Sequence, residues 1–239
     1  MFYFLVAPYL TYNIALVLAA VIPSIYLLVK VYRSDRLEPE SPQILWVHFR
    51  AGILSALIAL VSERIFSTLL YSYVDSSTEL YRILLYFGVV AISEEGAKHF
   101  MLKKSSWNSP EFNCLYDGII YAVFVSLGFA TWENISYVTH YGFATALVRS
   151  FTAIPGHASF GVFMGVFYSA ARLYSRYGEN SKAKTFQFLS VLIPVLIHGT
   201  YDYIATLEGG TVYFFAFIFI LFIAASKVIN SISKSDRYM

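Results

Sequence analysis

The chain has 239 residues, 58% of them apolar and only 13% charged, with a mean hydropathy of +0.61. A soluble domain of this length needs far more polar surface, so composition excludes that class and predicts an all-α, polytopic membrane protein. A net charge of +2 without any basic cluster interleaved with aromatics excludes nucleic acid as a partner, and a lone cysteine, Cys114, excludes an internal disulfide.

A helix needs about 20 mainly apolar residues to cross the hydrocarbon core. Seven stretches qualify: about 5–32, 44–71, 79–102, 116–138, 144–173, 186–206 and 211–230. The first is too long for a signal-peptide core and lacks a basic leader, so it reads as a retained span. Pro23, Pro155 and Pro194 predict kinks in the first, fifth and sixth spans. The first and seventh spans carry no ionisable group at their centres and are expected to face lipid. The third to sixth carry Glu94, Glu95, Glu133, His157, His198 and Asp202. Charges at membrane depth cost a few kcal/mol or more, so these groups should share a polar interior. One membrane domain, 1–239, is expected, with its functional core at about 79–206.

The connections sort by charge. Of the 17 Lys and Arg residues, all but Arg64, Arg82 and Arg149 fall on alternate connections and the C-terminal tail. The positive-inside rule then places the N-terminus outside and the C-terminus in the cytoplasm.

Four motifs carry the ionisable groups. EEGAK sets Glu94 and Lys98 at i, i+4, with Glu95 and His99 repeating that spacing one position round. Two neighbouring carboxylates in a low dielectric also repel, which prepares one of them to exchange protons. FATWEN carries Glu133 beside Asn134, and PGHASFGVFMG sets His157, Gly161 and Gly165 on one helical stripe. Small residues on that stripe let another helix approach closely beside the imidazole. HGTYD sets His198 and Asp202 at i, i+4, so one carboxylate can fix the tautomer of the ring. Each motif alone has a bland explanation: surface charges at a helix end for EEGAK, an interfacial position for FATWEN, a satisfied core imidazole for each histidine. Their conjunction on four consecutive spans of a charge-poor chain favours one shared site.

EEGAK, FATWEN, the histidine of PGHASFG, and HGTYD, in this order, resemble the motif set of the PrsW-type intramembrane proteases, relatives of the CAAX-processing and bacteriocin-immunity membrane peptidases. YRSDRLEPESP (32–42) and DGIIYAVFVSLGFATWEN (117–134) resemble the same family, so the likeness spans about residues 30–205. The CAAX-processing branch typically has a histidine where this chain has Glu133. The resemblance implies a multi-pass protein of a prokaryotic cell membrane that hydrolyses a peptide bond of a membrane-anchored substrate. By the same resemblance that substrate is an anti-sigma factor, cut outside the membrane in a first, site-1-type cleavage.

Peptide hydrolysis needs an activated water, a stabilised oxyanion and a proton for the leaving amine. In one version Glu94 or Glu95 is the base, His157 and His198 orient the water or bind the oxyanion, Asp202 steadies His198, and Glu133 shares a proton; Lys98 and Asn134 support the site. In the other, His157, His198 and Glu133 are candidate ligands of a Zn²⁺ with one position open for water. No HExxH pair signals a metal, and the metal-free version ranks slightly ahead. Buried acid and histidine chains also make proton relays, so a proton- or ion-coupled transporter is the rival reading, and an inactive scaffold the third. Depth is a difficulty. At about 1.5 Å per residue, His157 and His198 fall near mid-membrane, Glu94 and Glu95 toward the cytoplasm, and Glu133 toward the outside. The helix ends are shifted, or the fourth helix is broken near Gly128, or the cluster is stretched along a cavity.

Overall fold

A computed structural model describes the backbone of residues 2–239 and the side chains of residues 14–239. The described residues form helices in the order α1 (Phe2–Tyr32), α2 (Pro42–Tyr73), α3 (Glu79–Ile83), a π-helical segment (Leu84–Ala91), α4 (Ile92–Ser106), α5 (Leu115–Tyr141), α6 (Phe143–Phe151), α7 (Ala153–Arg176), α8 (Asn180–Ala205) and α9 (Thr211–Lys234). Lipid offers the backbone no partner, so each chain segment closes its own hydrogen bonds as a helix. Starts are set locally. Ser41 accepts from the Ile44 N–H at 3.4 Å just before Pro42, and Asp117 accepts from the Cys114 and Asn113 N–H groups at 2.6 and 2.8 Å ahead of α5.

Among the described residues, five helices are long and apolar enough to cross a membrane: α1 (from Ile14), α2, α5, α8 and α9. The other two expected spans are rods of a different kind. The third is the continuous run α3–π–α4, which carries Glu94, Glu95, Lys98, Lys103 and Lys104. The fifth is divided at Thr152 into the short α6 and the longer α7. Pro155 therefore kinks nothing: it occupies the first turn of α7, where its missing N–H has no intrahelical acceptor to lose. α1 and α8 run on as helices through Pro23 and Pro194.

α5 is the central post, packed by α1, α2, α4 and α7, and most of its residues from Tyr116 to Thr131 are buried. Glycines permit that density. A Cβ at Gly165 of α7 would collide with the backbone of Gly118 and Ile119 on α5, and one at Gly52 of α2 would collide with Val125. The axes can approach closely only because those atoms are missing. Outward-facing apolar residues of α1, α2 and α9, such as Tyr26, Leu60 and Phe219, give the bundle its lipid-facing coat.

Helix ends bear on the depth difficulty. α7 starts at Ala153, so His157 lies little more than one turn from its N-terminus. α5 passes Gly128 unbroken, and Glu133 and His198 sit at similar heights, two-thirds along α5 and α8. The π-helical segment was not foreseen; extra-wide turns of this kind commonly lie beside functional groups, and this one ends three residues before Glu94.

Candidate active site

α4 supplies Glu94, Glu95 and Lys98, α5 supplies Glu133, α7 supplies His157, and α8 supplies His198 and Asp202. All six acidic and imidazole side chains expected from sequence come together, five of them in one hydrogen-bonded chain through Lys98, and Asp202 at its end by a looser contact. His198 Nδ1–H donates to Glu95 Oε1 at 2.9 Å, while its Nε2 lies 3.4 Å from Asp202 Oδ2. The ammonium of Lys98 donates to Glu95 Oε1 at 2.7 Å, to Glu94 Oε2 at 3.1 Å and to His157 Nδ1 at 3.1 Å. With Nδ1 accepting, His157 carries its proton on Nε2 and donates it to Glu133 Oε2 at 2.9 Å. The two imidazole rings are 5.5 Å apart, and Phe160 stacks on His198 at 4.7 Å.

Packing fixes these positions. A Cβ at Gly199 would collide with the ring of Phe87, so the glycine beside His198 lets the π-helical segment press against α8. Lys98 is fully buried, and its ammonium lies 3.9 Å above the Phe129 ring.

A cavity of about 370 Å³, large enough to admit water, opens onto this chain. Glu94, Glu133, His157, His198 and Asp202 line it; Glu95 and Lys98 lie behind them. The two adjacent glutamates are thereby distinguished: Glu94 faces the cavity, and Glu95 is clamped between Lys98 and His198 with its Oε2 buried and unpartnered.

Two lining charges were not singled out from sequence. Glu63 of α2 also lines the cavity. It is an ionisable residue well inside a spanning helix, the signal that drew attention to Glu94. Arg149 of α6, counted from sequence only as an outer-side charge, binds Glu133 Oε2 at 2.9 Å through Nη2 and Asn134 Oδ1 at 2.9 Å through Nε, with its guanidinium 3.9 Å over Tyr137. Asn134 faces away from the chemistry: its amide donates to Ala20 O of α1 at 2.9 Å, so it ties α1, α5 and α6 together.

A helical membrane protein whose buried carboxylates and imidazoles converge from separate helices on one cavity fits two classes, membrane-embedded hydrolases and proton-relay proteins. Residues 40–226 match the model of the PrsW family of intramembrane metalloproteases, and the chain belongs to that family. Relatives named Protease PrsW include that of Clostridioides difficile, 29% identical over 94% of this chain and 91% of the relative, and that of Bacillus subtilis, 31% identical over 84% and 87%. The Halalkalibacterium halodurans relative is 35% identical over 65% of this chain and 71% of its own length. No solved structure matches. The chain is thus a peptidase of a bacterial membrane, crossing it several times.

The family description carries a metal, and the donor set can be tested against one. Among the described residues, Glu94, Glu95 and His157 each offer one ligand atom, all within 4.8 Å of one another. This triplet shares only His157 with the set expected from sequence. Both nitrogens of His198 are engaged by carboxylates, and Glu133 by His157 and Arg149. The space between the three donors holds the Lys98 ammonium at 2.7–3.1 Å. Zinc requires about 2.0–2.2 Å from oxygen or nitrogen ligands. An ammonium and a divalent ion cannot share that space, so the residues as arranged do not fit the metal.

Proposed function

We propose that the chain is an endopeptidase that hydrolyses a peptide bond of a membrane-anchored substrate with a water activated by Glu94. The observation that carries this reading is the division of the paired glutamates: Glu94 alone faces the cavity and touches its helix partner through Oε2 only.

In the proposed reaction a cavity water gives a proton to Glu94 while its oxygen bonds to the scissile carbonyl carbon. The electron pair moves onto the carbonyl oxygen, which accepts a hydrogen bond from His198 Nε2–H. The 3.4 Å separation from Asp202 is a loose contact that this donor can leave. Collapse of the tetrahedral intermediate breaks the C–N bond, and Glu94 returns its proton to the departing amine. Glu95 and Asp202 hold the His198 ring from either side, and Glu133 holds His157 in the tautomer that accepts from Lys98.

The same reading takes the chain as a single domain of seven crossings, with the N-terminus outside and the C-terminus in the cytoplasm, the two more polar rods completing the five apolar ones. By family resemblance the substrate is an anti-sigma factor. Purified protein in liposomes, given a quenched peptide that carries a membrane anchor, tests the activity. His198→Ala should lower the rate by about 10²–10³, the loss expected for one oxyanion donor. Ion uptake by the liposomes without hydrolysis would instead support a transporter.

A further inference from the structure

The donor nest is sized and filled in a way that the family description does not anticipate. A lysine ammonium has three N–H groups and no acceptor. Lys98 finds one acceptor for each: two carboxylates on its own helix and an imidazole from α7, 59 positions away in the chain. Its side chain has no exposed surface, and an aromatic face closes the remaining side at 3.9 Å. Burying an ammonium costs several kcal/mol unless it is fully paired, and here every donor is used.

We propose that Lys98 is the resident cation of this site: its ammonium takes the position a divalent metal would hold between Glu94, Glu95 and His157, and the protease works without a metal. Lys98 is on this account a positioning residue. It draws Glu94 Oε2 and His157 Nδ1 toward one point from two helices, and leaves the cavity-facing side of Glu94 free for water. A zinc ion needs these carboxylate and imidazole atoms about 0.5–1 Å closer to the centre they surround, which the Lys98 side chain prevents. A metal and this lysine are therefore alternatives. Removing the ammonium would leave two carboxylates and an imidazole around an empty centre, which is a donor set for a first-row divalent ion.

This inference rests on reading the cavity as the hydrolytic site, yet metal counting decides it without any cleavage assay. Full-length protein in detergent micelles is equilibrated with Co²⁺, desalted, and measured by mass spectrometry of metals and by visible absorption. The wild type is expected to retain less than about 0.1 equivalent and show no d–d band. Lys98→Ala is expected to retain about one equivalent with a visible band, and Lys98→Ala combined with Glu95→Gln to lose it. A full equivalent in the wild type would overturn the proposal, as would a folded Lys98→Ala protein that binds no more Co²⁺ than wild type. Should Lys98→Ala fail to fold, the wild-type count alone decides. A merely structural lysine would not convert into a metal site when removed.

Discussion

Glu94 and Glu95 are chain neighbours with different surroundings, and the difference is set by helix geometry. Neighbours on a helix point about 100° apart, so one faces the cavity wall and the other faces inward toward Lys98 and His198. Glu95→Gln should therefore act mainly on stability: it removes one charge of a fully buried pair, a loss on the order of 3 kcal/mol, and should lower the melting temperature in detergent. An unchanged melting temperature would contradict the clamp. At this scale the sequence was informative, because an ionisable group inside a lipid-crossing helix is expensive and stands out. Glu94, Glu95, Glu133, His157, His198 and Asp202 were all found that way. Glu63 met the same criterion and was passed over because no motif surrounds it. Arg149 was counted only as an outer-side charge, because the fold and not the sequence brings α6 back over Glu133.

The elements divide between those that cover and those that carry chemistry. α1, α2 and α9 expose apolar side chains outward, whereas α4, α5, α7 and α8 hold the polar chain, to whose cavity α2 adds Glu63. The contact of α5 with α7 sets the reach of His157 toward Lys98. Gly165→Ala pushes a methyl group into the backbone of Gly118 and Ile119, and overpacking of this kind costs about 1–3 kcal/mol. The expected outcome is a lower melting temperature together with reduced cleavage, since α7 must shift and takes His157 with it. The glycine stripe at 161 and 165 was legible from its spacing. The π-helical segment and the break at Thr152 were not. A π turn answers packing against α8, and Pro155 marks a helix start as readily as a kink.

For the molecule as a whole, the C-terminal tail packs on the start of α5 and is joined to loop 33–41. The Tyr116 N–H donates to Asp236 Oδ1 at 3.0 Å, the Met239 N–H to Asn113 O at 2.7 Å, and Ser233 to Ser34 O. Two carboxyls of that loop are buried. Burial raises Asp35 to about 6, against the opposing hydrogen bond from the Glu40 N–H, and raises Glu40 to about 7, against the Tyr121 hydroxyl at 2.5 Å. A carboxyl whose folded value is raised binds more protons folded than unfolded between the two values, so stability falls as pH rises through that window. The protein should accordingly lose stability from about pH 4 to about pH 7 through these groups. The double variant Asp35→Asn, Glu40→Gln should flatten the dependence in a melting series. An unaltered slope would show that the loop does not contribute.

The account depends most on Glu94 acting as the base in a chamber that the membrane would otherwise keep dry. Its direct test is the cleavage rate of a bilayer-anchored peptide by Glu94→Gln, compared with wild type and with Glu63→Gln. The glutamine keeps an acceptor for Lys98, so folding should survive. The account predicts a fall of about 10²-fold or more for Glu94→Gln in protein that still melts cooperatively, with Glu63→Gln retaining most of the activity. A Glu94→Gln protein that cleaves at the wild-type rate would contradict it.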